Sequence, residues 1–373
     1  MLIFLLLNRR LIVIPATIND VTPAWLGEVL NLEVNSISVK QIGQGIGLMG
    51  DIYRVSLEAV GLETAGASLT SVVVKLPSSF EDNRTQGVAL GMFDAEVKFY
   101  SELAEQATVG MPRVYHAEIV EGTAEFVIVM EDLSDLVSVA QHDGMSLDQA
   151  LAAVKVLASI HAVWWNKVQV ESLEWIPSMV GPRIEYVDQL LAQIYPIFAD
   201  GFGQHLPEGG LELYQQFAGN YLKINTAIAD RSPWTLAHQD YRVENLLFGE
   251  PGSGQAVILD WQGIGRGPGA YDLAYLLGGS LTVAARRQHE VQLVRAYHDE
   301  LLANEVDDYS FDQAFDDYGH AHLMGGLAVA MVTAGTLDLS NDRGMQLVAS
   351  MAERHVTAAL DHDGPARLAA ILG

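Results

Sequence analysis

The stretch that most narrows what this chain can fold into is "LAHQDYRVENLLF", residues 236–248. His238, Asp240 and Asn245 stand there in the order H-x-D-x-x-x-x-N, just ahead of the apolar run LLF. Fifteen residues beyond Asn245, "AVILDWQ" reads as a buried strand that ends on a second acid, Asp260. A carboxylate positions the proton of a hydroxyl, and a carboxylate with an amide oxygen makes a hard ligand pair of the kind Mg²⁺ accepts.

Partners for these groups lie upstream. "GQGIGLMGDIYRV", residues 43–55, sets Gly45, Gly47 and Gly50 in a G-x-G-x-x-G pattern. Glycines let backbone N–H groups approach a phosphate with no Cβ in the way. A glycine-rich turn between strands is the plainer alternative. A dinucleotide-binding unit needs a helix next, whereas "DIYRVSLEAVG" alternates like a strand, so a hairpin that covers phosphate fits better. Lys75 ends the run "SVVVK". A buried ammonium is costly unless paired. Glu96 lies three residues after Phe93 and four before Tyr100, on the apolar face of its helix, and is its expected partner. A partly exposed flanking acid is the alternative.

The chain predicts a strand-rich first half. "TPAWLGEVL" reads as a short helix, with Thr22 capping and Pro23 in the first turn. "SISVKQIG", "DIYRVSLEAVG", "SLTSVVVKLP", "RVYHAEIVEG" and "EFVIVMEDL" read as strands. One helix is expected over 88–107, with Phe93, Val97, Tyr100 and Ala104 inward. Beyond about residue 135 the pattern is mostly helical, as in "SLDQALAAVKVLASIHAVWW". The fold class expected is α+β and bilobal: a small antiparallel-sheet lobe with one helix over 15–133, then a larger, mostly helical lobe over 134–373, with the hinge near Glu131–Leu136. The apolar start is interrupted by Asn8-Arg9-Arg10 and falls short of the ~20 residues that span a bilayer. Residues 1–14 therefore read as a disordered or misassigned extension, with a packed strand or a targeting segment as alternatives.

Charge removes some partners. Lysine and arginine total 21 against 47 acids, a formal net charge of -26. Nucleic acid and anionic membrane surfaces are disfavoured by that field. The chain has no cysteine, which excludes disulfides and thiolate chemistry.

The order glycine loop, Lys75, Glu96, Asp240, Asn245, Asp260 is that of a kinase. The sequence resembles the aminoglycoside phosphotransferase and choline kinase superfamily of protein-kinase-like folds. "LASIHAVWW", "HQDYRVENLLF", "ILDWQ" and "GPGAYDLAYLL" are most similar to its ecdysteroid-kinase-like branch. The resemblance implies a cytoplasmic phosphotransferase that uses ATP and Mg²⁺ and phosphorylates a small-molecule hydroxyl. By position it implies Asp240 as catalytic base, Asn245 and Asp260 as metal ligands, and Lys75 with Glu96 as the phosphate-positioning pair. It also implies adenine contacts from the backbone near Met130, Glu131 and Asp132. His161 matches a recurrent family histidine but sits on an apolar helix face, as a satisfied core residue would. His238 reads as structural, and Asp272 as a brace for the catalytic region. Gln239 stands where many relatives carry glycine, and Trp261-Gln262 replaces Phe-Gly.

Only eleven residues separate Asp260 from Asp272, and no A-P-E follows, which leaves little platform for a polypeptide acceptor. The aromatic-rich segment 171–232 and the nearly uncharged "HAHLMGGLAVAMVTAGTLD" read as core packing or as a pocket for an apolar or weakly polar alcohol. The run 299–317 has eight acids and no Lys or Arg. It reads as a solvated face or as the lining for a cationic, aminoglycoside- or choline-type acceptor. A kinase fold that binds nucleotide without catalysis is the rival from another class. Oligomeric state is left open.

Overall fold

A computed structural model of the chain describes residues 12–43, 49–60, 69–336 and 342–373. Gly45, Gly47 and most of the 1–14 stretch lie outside the described residues. The chain divides into two compact units, one of residues up to Gln106 with Pro112–Ser134, the other of Ala107–Met111 with Asp135–Gly373.

In the first unit, helix α1 (Pro23–Leu30) starts where Thr22 Oγ1 accepts the Trp25 N–H at 3.2 Å. Strands β1 (Glu33–Ile42), β2 (Gly50–Val60), β3 (Ser71–Pro77), β4 (Val114–Ile119) and β5 (Phe126–Glu131) form an antiparallel sheet in the order β1-β2-β3-β5-β4. Strand alternation sorts the two faces. Val72, Val74 and Leu76 of β3 join Val127 and Val129 of β5 and Leu26 of α1 in one core. Phe126 faces the other way and stacks on Phe93, with ring centroids 4.8 Å apart. The end of the expected extension belongs to this unit: Trp25 Nε1 donates to the Val13 carbonyl at 2.8 Å, and Ile14 packs against the core.

The single helix expected over 88–107 is corrected. Helix α2 (Glu81–Ala89) stops before Gly91, which takes φ 65°, and α3 (Met92–Lys98) begins afresh. A π-helical turn, Phe99–Leu103, and a 3₁₀ turn, Ala104–Gln106, follow. Gly87 lets Phe93 pack closely against α2, because a Cβ there would fall 2.3 Å from the Phe93 ring. Phe93, Val97, Tyr100 and Ala104 are all buried as the spacing predicts.

The second unit is mostly helical. Helix α4 (Leu147–Trp164) opens with a capping box between Ser146 and Gln149. It is the one helix among the described residues long and apolar enough to cross a bilayer, and 61% of it is buried inside the protein. Burial of that kind marks a core helix, packed here on α9 (Val283–Ala303). Two small sheets follow: β6 (Val137–Ser138) with β8 (Leu246–Phe248) and β9 (Ala256–Ile258), and β7 (Trp234–Ala237) with β10 (Gly265–Pro268).

The remaining helices are α5 (Pro182–Phe202), α6 (Gly210–Phe217), α7 (Tyr221–Ala229), α8 (Ala270–Ser280), α10 (Phe311–Ala321), α11 (Gly325–Thr336), α12 (Asp342–Asp361) and α13 (Gly364–Leu372). Phe198, Phe202, Tyr214 and Phe217 are buried in the helical core. Leu327, Ala330 and Met331 of α11 are fully buried too, and α11 packs on α5. These residues of both segments serve as core.

Phe93 has no open side, so Phe93→Ala leaves a cavity and is expected to cost roughly 3–5 kcal/mol in urea denaturation.

Candidate active site

Two short strand pairs place the opening motif. The antiparallel pair β7–β10 ends where His238 begins, and the pair β8–β9 starts just past Asn245. The loop 238–245 therefore leaves one pair and enters the other, while Asp260 lies on the return path from β9 to β10. Backbone bonds stitch the two paths, with Leu259 N–H donating to the Asn245 carbonyl at 2.9 Å.

His238 ties them again. Its Nδ1 accepts the Asp240 N–H at 3.2 Å, which makes Nε2 the protonated nitrogen, donating to the Leu259 carbonyl at 3.0 Å. Both ring nitrogens are thus occupied in the neutral tautomer. Asp272, fully buried on α8, accepts the N–H groups of His238 at 2.6 Å and Gln239 at 2.9 Å. The same carboxylate takes His161 Nε2 at 3.2 Å, and His161 Nδ1 meets the Tyr297 hydroxyl at 2.8 Å. A buried carboxylate is tolerated only with such donors around it.

Asp240 is pinned from three sides. Its Oδ2 accepts from Asn245 Nδ2 at 2.8 Å, and its Oδ1 accepts from the Tyr275 hydroxyl at 3.0 Å. Arg242 Nε lies 3.3 Å from Oδ1, and Arg242 also pairs with Glu244. Burial opposes the charge on Arg242, but Asp240 and Glu244 outweigh it and hold the guanidinium above its ordinary pKa. The Tyr275 hydroxyl is pushed well up, by burial first and then by Asp240, so it stays a donor. About a third of the Asp240 side chain remains exposed. The carboxylate is therefore oriented yet reachable.

Asp260 adopts φ 67° and ψ 63°, and Gln239 adopts φ 65°. Left-handed backbone at a non-glycine residue costs of order 1–2 kcal/mol, so both positions are held by their surroundings. Gln262 Nε2 donates to Asp260 Oδ2 at 3.3 Å. Because Asn245 spends its nitrogen on Asp240, its amide oxygen remains the group suited to a hard cation. Among the described residues no three His, Asp or Glu side chains are grouped to hold a metal by themselves. An oxygen pair such as Asn245 and Asp260 suits an ion that keeps its waters and shares a bound ligand's oxygens, as Mg²⁺ does.

In the first unit, Lys75 Nζ donates to both oxygens of Glu96, at 2.8 and 2.7 Å. The pair is buried, with side chains 9% and 2% exposed. Strand register explains it: Lys75 lies opposite Ile128 of β5, on the face that α3 covers. Gly50 gives the lysine stem room, since a Cβ there would meet Lys75 Cε at 3.1 Å and the Leu76 carbonyl at 3.0 Å.

Met130 and Glu131 close β5, with Asp132 next. The Glu131 N–H is engaged by the Arg113 carbonyl at 2.9 Å. Asp132 bonds the Ser71 hydroxyl at 2.6 Å and Arg54 at 2.9 Å. Burial works against the Asp132 charge, but those partners win and hold its carboxyl below the usual range.

Tyr275, Arg242 and Arg183 were not singled out from the sequence. Tyr275 follows Asp272 by three residues and so shares its helix face, a signal that was there to find. Arg183 carries no local signal.

Two outcomes test this arrangement. Glu96→Ala strands a buried ammonium and is expected to cost roughly 3–5 kcal/mol, much of it recovered in the Lys75→Met/Glu96→Leu double variant, both read by chemical denaturation. Asp272→Ala leaves two backbone donors and His161 Nε2 unpaired and should lower stability by roughly 2–5 kcal/mol, with Asp272→Asn less damaging.

Comparison with known proteins bears on the family and the fold. Residues 44–307 match the ecdysteroid kinase-like family. The chain is 23% identical over 337 residues to "Uncharacterized oxidoreductase dhs-27" of Caenorhabditis elegans; the match covers 79% of this chain and only 39% of that protein's length. Among solved structures, a choline kinase from Cryptosporidium parvum Iowa II superposes with a TM-score of 0.57 at 12% identity, covering 94% of each chain. The amicoumacin kinase hAmiN, solved with AMP-PNP, Ca²⁺ and Ami, gives a TM-score of 0.50 at 14% identity over 86% of this chain and 88% of its own. At these identities the likeness speaks for a protein-kinase-like fold of the α+β class. The matched span takes in the glycine loop, Lys75, Glu96, Asp240, Asn245, Asp260 and Asp272, and the chain belongs to the ecdysteroid kinase-like family.

Proposed function

We propose that this protein transfers the γ-phosphoryl group of ATP, with Mg²⁺, to the hydroxyl of a small molecule. The observation that carries the reading is Asp240: a part-exposed carboxylate held by Asn245, Tyr275 and Arg242 on a loop whose backbone is anchored to Asp272. Bound Mg·ATP supplies the electrophilic phosphorus and neutralises charge as the phosphoryl group leaves. The chain's own residues do the positioning.

Asp240 orients the acceptor hydroxyl and takes its proton on the carboxylate. Asn245, through its oxygen, and Asp260 hold Mg²⁺. Lys75, held by Glu96, binds nucleotide phosphate, the same task to which Gly45, Gly47 and Gly50 are assigned. His238 moves no proton, because both its nitrogens are engaged. The nucleotide found with the amicoumacin kinase supports the ATP part of the reading.

The short path from Asp260 to Asp272 favours a small acceptor over a polypeptide. An aminoglycoside- or choline-type acceptor needs acids free near Asp240. The acidic run 299–317 spends Asp316 on Arg231 and Arg367, and Asp317 on Tyr309. Two of the eight acids of the run are thus engaged within the protein, which weakens a polycationic acceptor without removing it. The apolar-pocket argument weakens as well, since Phe198, Phe202, Tyr214 and Phe217 are core residues.

The test is ATP consumption against a panel of hydroxyl compounds, with products identified by mass. Asp240→Asn should lower turnover by roughly 10²–10⁴ while Mg·ATP still raises the melting temperature. Near-normal turnover in that variant would remove Asp240 as the base. A non-catalytic nucleotide binder would show the melting shift and no product from any compound.

A further inference from the structure

The residue left unexplained is Arg183, in the first turn of α5. Segment 176–179 runs beside β10: Arg266 N–H donates to the Pro177 carbonyl at 2.8 Å, and Met179 N–H to the Arg266 carbonyl at 2.9 Å. That alignment brings the start of α5 to the catalytic loop. Arg183 Nη2 donates to Gln239 Oε1 at 2.7 Å and to the Gly263 carbonyl at 3.5 Å. The arginine thus touches the residue before Asp240 and the turn after Asp260. Gly265 leaves the space, since a Cβ there would fall 1.7 Å from Gln239 Nε2 and 3.1 Å from Arg183 Nη2.

Among the described residues Arg183 has no counterion. No Asp or Glu among the described residues forms an ion pair with it, in a chain with 47 acids against 21 basic residues. The charged-capable groups that act on it are the hydroxyls of Tyr271 on α8 and Tyr221 on α7, and burial pulls its pKa down. Other inward arginines are provided for. Arg286 pairs with Glu290 and Asp361, Arg242 with Asp240 and Glu244, and Arg354 donates to the carbonyls of Gln141, His142 and Gly279. Arg183 uses one of its three nitrogens and stays half-buried, with Nε and Nη1 uncommitted among the described residues. Beside it Gln239 Nε2 is buried with no acceptor among the described residues. Donors therefore outnumber acceptors at this corner of the site. A guanidinium so placed is completed by an oxyanion, which it can take through two parallel N–H groups.

We propose that Arg183 binds an anionic group, a carboxylate or a sulfate- or phosphate-like oxyanion, carried by the acceptor molecule itself. The acceptor is then a hydroxy acid or comparable hydroxylated anion, and Gln239 is the neutral strut that aims the guanidinium. This rests on the kinase reading above and adds the acceptor's class to it. The same chemistry has a second source, the nucleotide γ-phosphate, and the test separates the two.

Inorganic sulfate serves as probe, added to the full-length protein at constant ionic strength, with melting temperature as readout. Arg183→Gln and Arg183→Lys are compared with wild type, alone and with saturating Mg·AMP-PNP. The expected result is saturable stabilisation of wild type by sulfate that persists with Mg·AMP-PNP bound. Arg183→Gln should weaken it by roughly 10- to 100-fold and Arg183→Lys by less. Equal sulfate responses in wild type and Arg183→Gln, or no response in wild type, overturn the proposal. Sulfate binding abolished by Mg·AMP-PNP but kept with Mg·ADP assigns Arg183 to the γ-phosphate and also overturns it. Failure of Mg·AMP-PNP itself to stabilise any form sinks the kinase reading, while the sulfate arms still report on Arg183.

Discussion

The Asp272 carboxylate is the interaction on which the rest of the site depends. It lies fully inside the helical unit and accepts from the backbone of His238 and Gln239 and from the His161 ring. A carboxylate in that position is stable only while every donor is in place, and each donor is stable only while the carboxylate is. The consequence is a loop with one geometry. Gln239 can hold a left-handed backbone because its N–H is bonded, and Asp240 then begins from a fixed Cα. Helix α8 adds a second contact one turn later, where Tyr275 reaches Asp240.

Charge placement follows the same economy. Buried arginines and lysines in this acidic chain are matched by carboxylates or carbonyls, Lys75 with Glu96 and Arg286 with Glu290 and Asp361. Such pairs add little net stability over apolar packing, but breaking one is costly. They therefore fix orientation. Against that pattern Arg183, unmatched among the described residues, stands out, and its place beside the Asp240 loop gives the mismatch chemical meaning.

Much of the site was legible in the sequence because its signals are local. Strand alternation put Lys75 on one face, helical spacing put Glu96 on the apolar side of its helix, and the two faces meet in the fold. Asp240 and Asn245 are five residues apart, close enough for the loop to bring them into hydrogen-bond contact without help from distant chain. The one helix expected over 88–107 failed for an equally local reason. Gly91 takes a left-handed conformation that the apolar spacing of Phe93 and Val97 does not register. The aromatics of 171–232 read equally well as core or pocket, because periodicity does not say what packs on a face.

The sequence by itself determined the α+β class, the strand and helix faces, and the identities of the candidate site side chains. Those depend on covalent spacing and on which residues tolerate burial. Only the tertiary structure decided what surrounds them: Asp272 beneath the loop, Tyr275 and Arg242 on Asp240, and Arg183 brought to Gln239 across 56 positions of chain. Contacts at such separations arise from how helices and sheets stack. A linear pattern carries the chemistry of each residue and leaves its neighbour in space to the packing of the whole unit.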